Sequence, residues 1–242
     1  IFIKLSVETI DPRLLTFYRL FIASIALIVF CNKGNLINCL RKNKLKILFI
    51  ALIGNVIPFN LISYSEIFVD SIIASTLIGT MPIFTFFFSV FVFKKIKFNY
   101  IGLVGLIIGF AGMIVFIKPT NFNLNNNESF YFLLILFSSI CYALSANIVK
   151  KVTDSSPSDV AITSTVLAAL ICLFHISLET LILENNIFDN VREMKLEGFI
   201  SASILGLICT AFAIFIFFSL IEKQSAVFAS QSNYLIPCFG SL

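Results

Sequence analysis

The sequence predicts an all-α integral membrane fold: a ten-helix bundle made of two inverted five-helix repeats, cut short at both ends, with eight to nine spans present. Three observations predict it. The 242-residue chain is 59% hydrophobic and 12% charged, about half the charged share of an ordinary soluble domain. Long uncharged runs alternate with short charged connectors. One example, residues 71–93, holds 23 positions without a charge, and a bilayer core needs about 20 apolar residues of helix. Finally, pieces of the first half recur in order in the second.

The elements follow from these runs. Residues 1–3 read as the last turn of a first span, closed by Lys4. A loop with Glu8, Asp11 and Pro12 leads into span two, residues 14–31, which contains Arg19. A basic loop precedes spans three and four, residues 47–65 and 71–93, a hairpin around Glu66 and Asp70. Span five, residues 98–117, sets Gly102, Gly105, Gly109 and Gly112 on one seam, with Gly105 and Gly109 forming a GxxxG suited to close helix packing. Lys118-Pro119 ends it, and the polar, Asn-rich stretch 119–129 is the boundary between halves 1–118 and 130–242. Span six covers 129–149 and span seven 160–178, the latter with the sole histidine, His175, expected to pack near the outward end. Span eight covers 198–221, and span nine runs from about 225 to the end.

Both arms of the hairpin carry more than an anchor needs. Asn60, Ser63 and Tyr64 share one sector of the first arm. Ser71, Ser75, Gly79, Pro82, Thr85 and Ser89 stripe the second, opposite Phe84, Phe87, Phe88 and Phe91. Proline breaks both arms, at Pro58 and Pro82. A polar-striped, proline-broken span suits a solute path, where irregular backbone lines a cavity. The same small residues also serve plain helix packing.

Connector charge sets the orientation. Every second connector is basic and together these hold eleven Lys and Arg (Lys33, Arg41, Lys42, Lys44, Lys46; Lys94, Lys95, Lys97; Lys150, Lys151; Lys223), against four in the others (Arg13, Lys118, Arg192, Lys195). The basic set is therefore cytoplasmic. The basic residues gather at span ends, which gives no reason to expect nucleic acid. Six scattered cysteines have neither disulfide nor metal spacing, and no cofactor is expected.

The repeat sets Gly54 against Gly206, Ala74-Ser75 and Pro82 against Ala229-Ser230 and Pro237, and Ile3-Lys4 and Pro12 against Val149-Lys150 and Pro157, at offsets of 145–155. A unit of five spans inverts the second copy, and inverted copies place a substrate site near the midplane. The segments IFIK…DPRLLTFYRLFIA, YSEIFVDSIIASTLIGTMPIFT, GLVGLIIGFAGMIVFIKP and SQSNYLIP resemble the EamA-type permeases of the drug/metabolite transporter superfamily. The resemblance covers most of the chain. It implies ten helices in two inverted halves, movement of a small metabolite or drug-like solute by alternating access, and a bacterial inner-membrane location.

Candidate solute contacts are Arg19, Asn60, Ser63, Tyr64, Gln231, Asn233 and Tyr234, with Ser145 and Asn147 behind them. Gln231, Asn233 and Tyr234 belong to five consecutive polar residues, 230–234, which point all round a helix and so require burial among other helices. Asn60, Ser63 and Tyr64 are expected to face them across the halves. Pro82, Pro237, Gly105 and Gly109 are read as hinge or packing positions. Arg19 has two readings: a cavity-facing cation for a carboxylate or phosphate, or an arginine snorkelling to the outer interface, which its depth favours. The spans offer no carboxylate as a proton carrier, Glu179 being the nearest to a helix body. The expected partners are a small solute and the bilayer, with a homodimer as a candidate assembly. A membrane sensor or scaffold is the alternative. A lipid-modifying enzyme is disfavoured by the absence of DxD and HExxH, and a channel by the absence of charged rings.

Overall fold

The computed structural model describes residues 2–31, 34–117, 126–183 and 196–237, and these are nearly all helical, without a strand. Six helical runs are long and apolar enough to cross a membrane, and a seventh, Tyr100–Phe116, is slightly shorter. Side-chain placement is that of a membrane protein. The buried faces are rich in small residues such as Ala23, Ala143, Ala161, Ala168, Ala202 and Ala229. Phe30, Ile101, Ile108 and Leu181 look outward. Helices in lipid gain from close backbone approach, and apolar bulk costs nothing against acyl chains.

After the short α1 (Phe2–Val7), α2 (Pro12–Phe30) begins two residues earlier than expected. Asp11 caps it by accepting from the Arg13 amide, and Pro12 stands where a missing N–H is harmless. The basic loop contributes α3 (Leu36–Lys42). Span three is α4 (Lys44–Ala51), a π-helical turn (Leu52–Val56) and α5 (Ile57–Ser65). Pro58 cannot donate to the carbonyl four residues back, and the wide turn lies just before it.

Span four is broken. It comprises α6 (Ser71–Ile78), a two-residue turn at Gly79-Thr80, α7 (Met81–Phe87) and a π turn (Phe88–Val92). Pro82 has no N–H to give the Ile78 carbonyl, and side chains beside the break bond to the carbonyls there. Thr80 Oγ1 donates to the Leu77 carbonyl at 2.6 Å, and Ser139 Oγ to that of Ile78 at 3.4 Å. α8 (Tyr100–Ile117), α9 (Asn126–Val149) and α10 (Pro157–Leu183) follow. Span eight is α11 (Leu196–Gly206), a π turn (Leu207–Phe212) and α12 (Ala213–Lys223). The expected ninth span differs. α13 (Ala226–Ser230) gives way to a 3₁₀ turn, Gln231–Tyr234, because Ser232 and Asn233 bond back to the carbonyls of Ala229 and Ser230.

The packing is paired. α2 lies against α10, α5 against α9 and α1 against α11. α7 meets α13, and α8 touches only α6, α7 and the 3₁₀ turn among its substantial contacts. The expected glycine seam of α8 is not a helix interface among the described residues. A methyl built at Gly105 or Gly112 meets nothing within 4 Å, while Gly109 faces the Tyr234 ring. The Asn-rich boundary 119–129 lies outside the described residues except for the start of α9, as do most of 184–197 and Cys238.

The basic connectors gather at one end of the bundle. Lys42 pairs with Asp154 at 3.5 Å, Lys46 donates to the Lys151 carbonyl at 2.7 Å, and Lys151 lies over the Phe93 ring. Lys150 reaches the carbonyls of Ile221, Glu222 and Gln224 at 2.8–3.1 Å, closing the C-terminus of α12. At the other end Lys4 does the same for α5, donating to the Glu66 carbonyl at 2.8 Å.

Candidate functional site

The centre of the bundle is organised by two π turns. Each widens its helix by one residue and releases a carbonyl, and each carries a polar side chain that reaches five residues back. Asn55 Nδ2 donates to the Ile50 carbonyl at 3.5 Å, and Thr210 Oγ1 to that of Leu205 at 2.7 Å. Thr210 also accepts from Arg19 Nε at 2.6 Å. The close approach is set by Gly206, where a methyl would sit 3.0 Å from the Arg19 carbonyl and from Ile22.

Arg19 does not snorkel. It is 8% exposed, and its guanidinium carbon stands 3.7 Å from the centre of the Phe59 ring. Tyr142 of α9 meets Phe59 edge-on at 6.2 Å. The guanidinium is thus held by α2, α5 and the π turn of span eight, with Tyr142, Cys209 and Glu66 within electrostatic range. A planar cation on an aromatic face is favourable, more so away from water. Along the same seam of α2 and span eight, an apolar groove of about 580 Å³ is lined by Leu27, Phe30, Leu207, Ile208, Ala211 and Phe215 among others.

The other candidates are spread out. Asn60 bonds to the Val56 carbonyl at 2.8 Å and lies within reach of the Cys172 thiol on α10. Ser63 is buried. Tyr64 is half exposed at the end of α5, packed with Phe68 and Tyr131. The 230–234 run does not face these residues. Asn233 Nδ2 sits 2.9 Å from Met81 Sδ, directly after the break in span four, and Tyr234 donates to the Leu106 carbonyl at 2.9 Å. Gln231 is exposed, and Pro82 and Pro237 are buried. The broken helices therefore meet each other, while the cation lies with Phe59 and span eight. Ser145 meets α4–α5 at Gly54. Asn147 ties α9 to span four, accepting from Ser89 at 2.6 Å and donating to the Thr85 carbonyl at 3.3 Å. His175 is exposed, 3.8 Å from Glu179, where packing was expected.

Both ends of the α2–α10 pair are pinned. At one end Arg13 bridges Asp11 and Glu179 at 2.9 and 2.8 Å. Burial pushes the Asp11 carboxyl up, but the Arg13 hydrogen bonds and charge outweigh it and hold the group below its ordinary value. At the other end the Gly34 amide donates to Asp159 at 2.9 Å. Glu66, 4% exposed, accepts from Ser71 at 2.8 Å. Burial raises its carboxyl above the usual range, and the Ser71 bond with the Arg19 and Lys4 charges offsets only part of that.

The model of the EamA-like transporter family matches residues 1–118 and 129–242. The chain belongs to the EamA-like transporter family. It is 27% identical over 97% of its length to an uncharacterized transporter of Buchnera aphidicola subsp. Schizaphis graminum, covering 76% of that protein. Identity to an uncharacterized transporter of Archaeoglobus fulgidus is 24% over 99% of the chain and 81% of the relative. Bacillus subtilis YoaV, an uncharacterized transporter, is 28% identical over 61% of the chain and 50% of its own length. A solved crystal structure shares the fold, with a TM-score of 0.65, 14% identity, and 96% of this chain and 77% of that one covered. The protein is a multi-pass cell-membrane member of a transporter family.

In this EamA-like chain, sequence reasoning singled out Arg19 but not Phe59, Tyr142 and Thr210 around it, nor the buried state of Glu66. Thr210 carried a usable signal. The offset of 155 that takes Pro82 to Pro237 takes Asn55 to Thr210.

Proposed function

We propose that this protein is a permease that moves a small solute by alternating access between two inverted five-helix halves, 1–118 and 130–242, around the Arg19 site. The observation that carries the reading is a buried guanidinium set where helices of both halves cross. Several pairings support two equivalent halves. The contact of α4 with α9 is matched by that of α11 with α1, and that of α5 with α1 by that of α12 with α9. The π turns starting at Leu52 and Leu207 are 155 residues apart. Lys4 closes α5 as Lys150 closes α12. The break at Gly79-Thr80 corresponds to the 3₁₀ turn before Pro237. An odd number of spans per half inverts the copies, and inverted copies present one site to two faces.

The contacts that cross between halves then act as gates. On the cytoplasmic side these are Lys42–Asp154, Asn43 to the Thr153 carbonyl, Lys46 to the Lys151 carbonyl, and Gly34–Asp159. On the outer side Arg13–Glu179 does the same work. Parting one set while the other holds opens the site to one face at a time.

The test uses the full-length protein in proteoliposomes preloaded with a fractionated metabolite extract. Protein-dependent counterflow of at least one solute is the expected result, and no counterflow from any fraction counts against the reading. In a cysteine-free background, Glu8→Cys and Lys42→Cys should react with an impermeant thiol reagent from opposite faces. Reaction from one face alone ends the inverted topology.

A further inference from the structure

The central cation has more donors than the protein gives partners. A guanidinium presents five N–H groups. Among the described residues Arg19 makes one hydrogen bond, from Nε to Thr210. Its terminal nitrogens are not sealed away either. The fully buried side-chain atoms lacking a partner are Thr9 Oγ1, Ser65 Oγ, Thr165 Oγ1 and Glu179 Oε2. Neither Arg19 Nη atom is among these, so both keep some accessible surface in a residue only 8% exposed.

No carboxylate among the described residues lies within ion-pair distance of Arg19. The described pairs involve Arg13, Lys42 and His175 instead. Glu66 acts on it only at longer range, its carboxylate held by Ser71. An unpaired cation in the interior of a membrane protein is costly, and such groups mark solute paths.

The fold itself does not need this charge. The offset of 145 that carries Pro12 to Pro157 carries Arg19 to Ser164. Ser164 is buried and bonds to the Val160 carbonyl at 2.7 Å, and the Asn55 π turn beside α10 forms without a cation bonded to Asn55. A guanidinium kept on one side only is therefore there for something other than holding a π turn.

We infer that the paired Nη groups of Arg19 bind the anionic head of the solute, a carboxylate or a phosphate. The geometry favours this class. Thr210, fixed by its own bond to Leu205, occupies Nε and so blocks the side-on approach of an oxyanion. Phe59 covers one face of the plane. What is left is the end-on fork of Nη1 and Nη2, which matches two oxygens of one carboxylate or phosphate. A neutral or cationic solute would leave the charge unpaired.

The inference rests on the permease reading, and the experiment separates the two. The full-length protein in neutral detergent is melted in potassium benzoate, succinate or phosphate at constant ionic strength, with potassium chloride as baseline. Glucose, choline chloride and phosphatidylglycerol form separate arms. At least one of the three oxyanions should raise Tm by about 2 °C or more over chloride. The gain should vanish in Arg19→Gln and need at least about tenfold more anion in Arg19→Lys, which keeps the charge but loses the planar fork. If Arg19→Gln fails to fold, Arg19→Lys alone decides. No stabilisation by any of the three oxyanions overturns the inference, as does equal stabilisation of the variants. A gain from phosphatidylglycerol alone makes the occupant a lipid head and overturns the solute assignment. Counterflow of a neutral or cationic solute that survives Arg19→Gln removes the anion while leaving the permease. Anion binding without counterflow does the reverse.

Discussion

Replacing Gly206 by Ala tests the crossing of α2 and span eight on which the Arg19 site depends. The added methyl would lie 3.0 Å from the Arg19 carbonyl oxygen and from Cβ and Cγ2 of Ile22. Ordinary carbon contacts are about 3.5–4.0 Å, so one helix must retreat by roughly 0.5–1 Å. Overpacking of this kind costs about 1–3 kcal/mol. Alanine returns about 0.8–1 kcal/mol of helix propensity. The retreat also stretches the 2.6 Å bond from Arg19 to Thr210, and a charged hydrogen bond contributes about 1.5–3 kcal/mol. The net loss is about 1–4 kcal/mol, a fall in Tm of roughly 2–16 °C at about 2–4 °C per kcal/mol for a chain of this size. Gly105→Ala is the control, because nothing lies within 4 Å of its methyl, and it should leave Tm unchanged or raise it. Melting both variants in one detergent provides the assay. Equal behaviour of the two would refute the close-crossing argument.

Three further outcomes are expected. Asn147→Leu removes two bonds to span four, at about 0.6 kcal/mol each for hydrogen bonds between membrane helices, and a double-mutant cycle with Ser89→Ala should show coupling of about that size; zero coupling contradicts the 2.6 Å bond. Lys150→Met should expose the end of α12 and lower Tm, with faster hydrogen exchange at 221–225, whereas unchanged exchange there would show that the lysine does not close the helix. Glu66 has a raised pKa when folded, so between the ordinary carboxylate value and the raised one the folded chain holds the extra proton and stability falls as pH rises. Glu66→Gln should therefore stabilise at neutral and alkaline pH and change nothing in acid; a Tm gain independent of pH would contradict the buried, protonatable state.

The spans were legible because length and charge-free composition are one-dimensional properties. Arg19 was legible because a lone charge in an apolar run stands out. What that charge would do was not, since snorkelling and burial differ only in how the side chain turns, and its neighbours Phe59 and Tyr142 look like any aromatic residue in a membrane helix. The polar run 230–234 misled for a different reason. It was read as helix, with its side chains pointing all round, yet Ser232 and Asn233 satisfy their own backbone and wind the segment into a 3₁₀ turn that delivers Asn233 to Met81. The glycines of α8 resemble a packing seam in sequence, but only the fold shows that Gly105 has no neighbour among the described residues.

The two terminal lysine clasps have a mechanical consequence. Lys4 and Lys150 each fasten helices separated by fewer than 75 residues of chain, never a helix from one end of the sequence to one from the other. Under the proposed alternating access, a rocking motion about the middle would leave both clasps shut and strain neither helix terminus. In the proposed permease, switching would then fall on the contacts that cross between the halves, from Gly34–Asp159 and Arg13–Glu179 at the rims to Arg19–Thr210 and Ser89–Asn147 within the bundle.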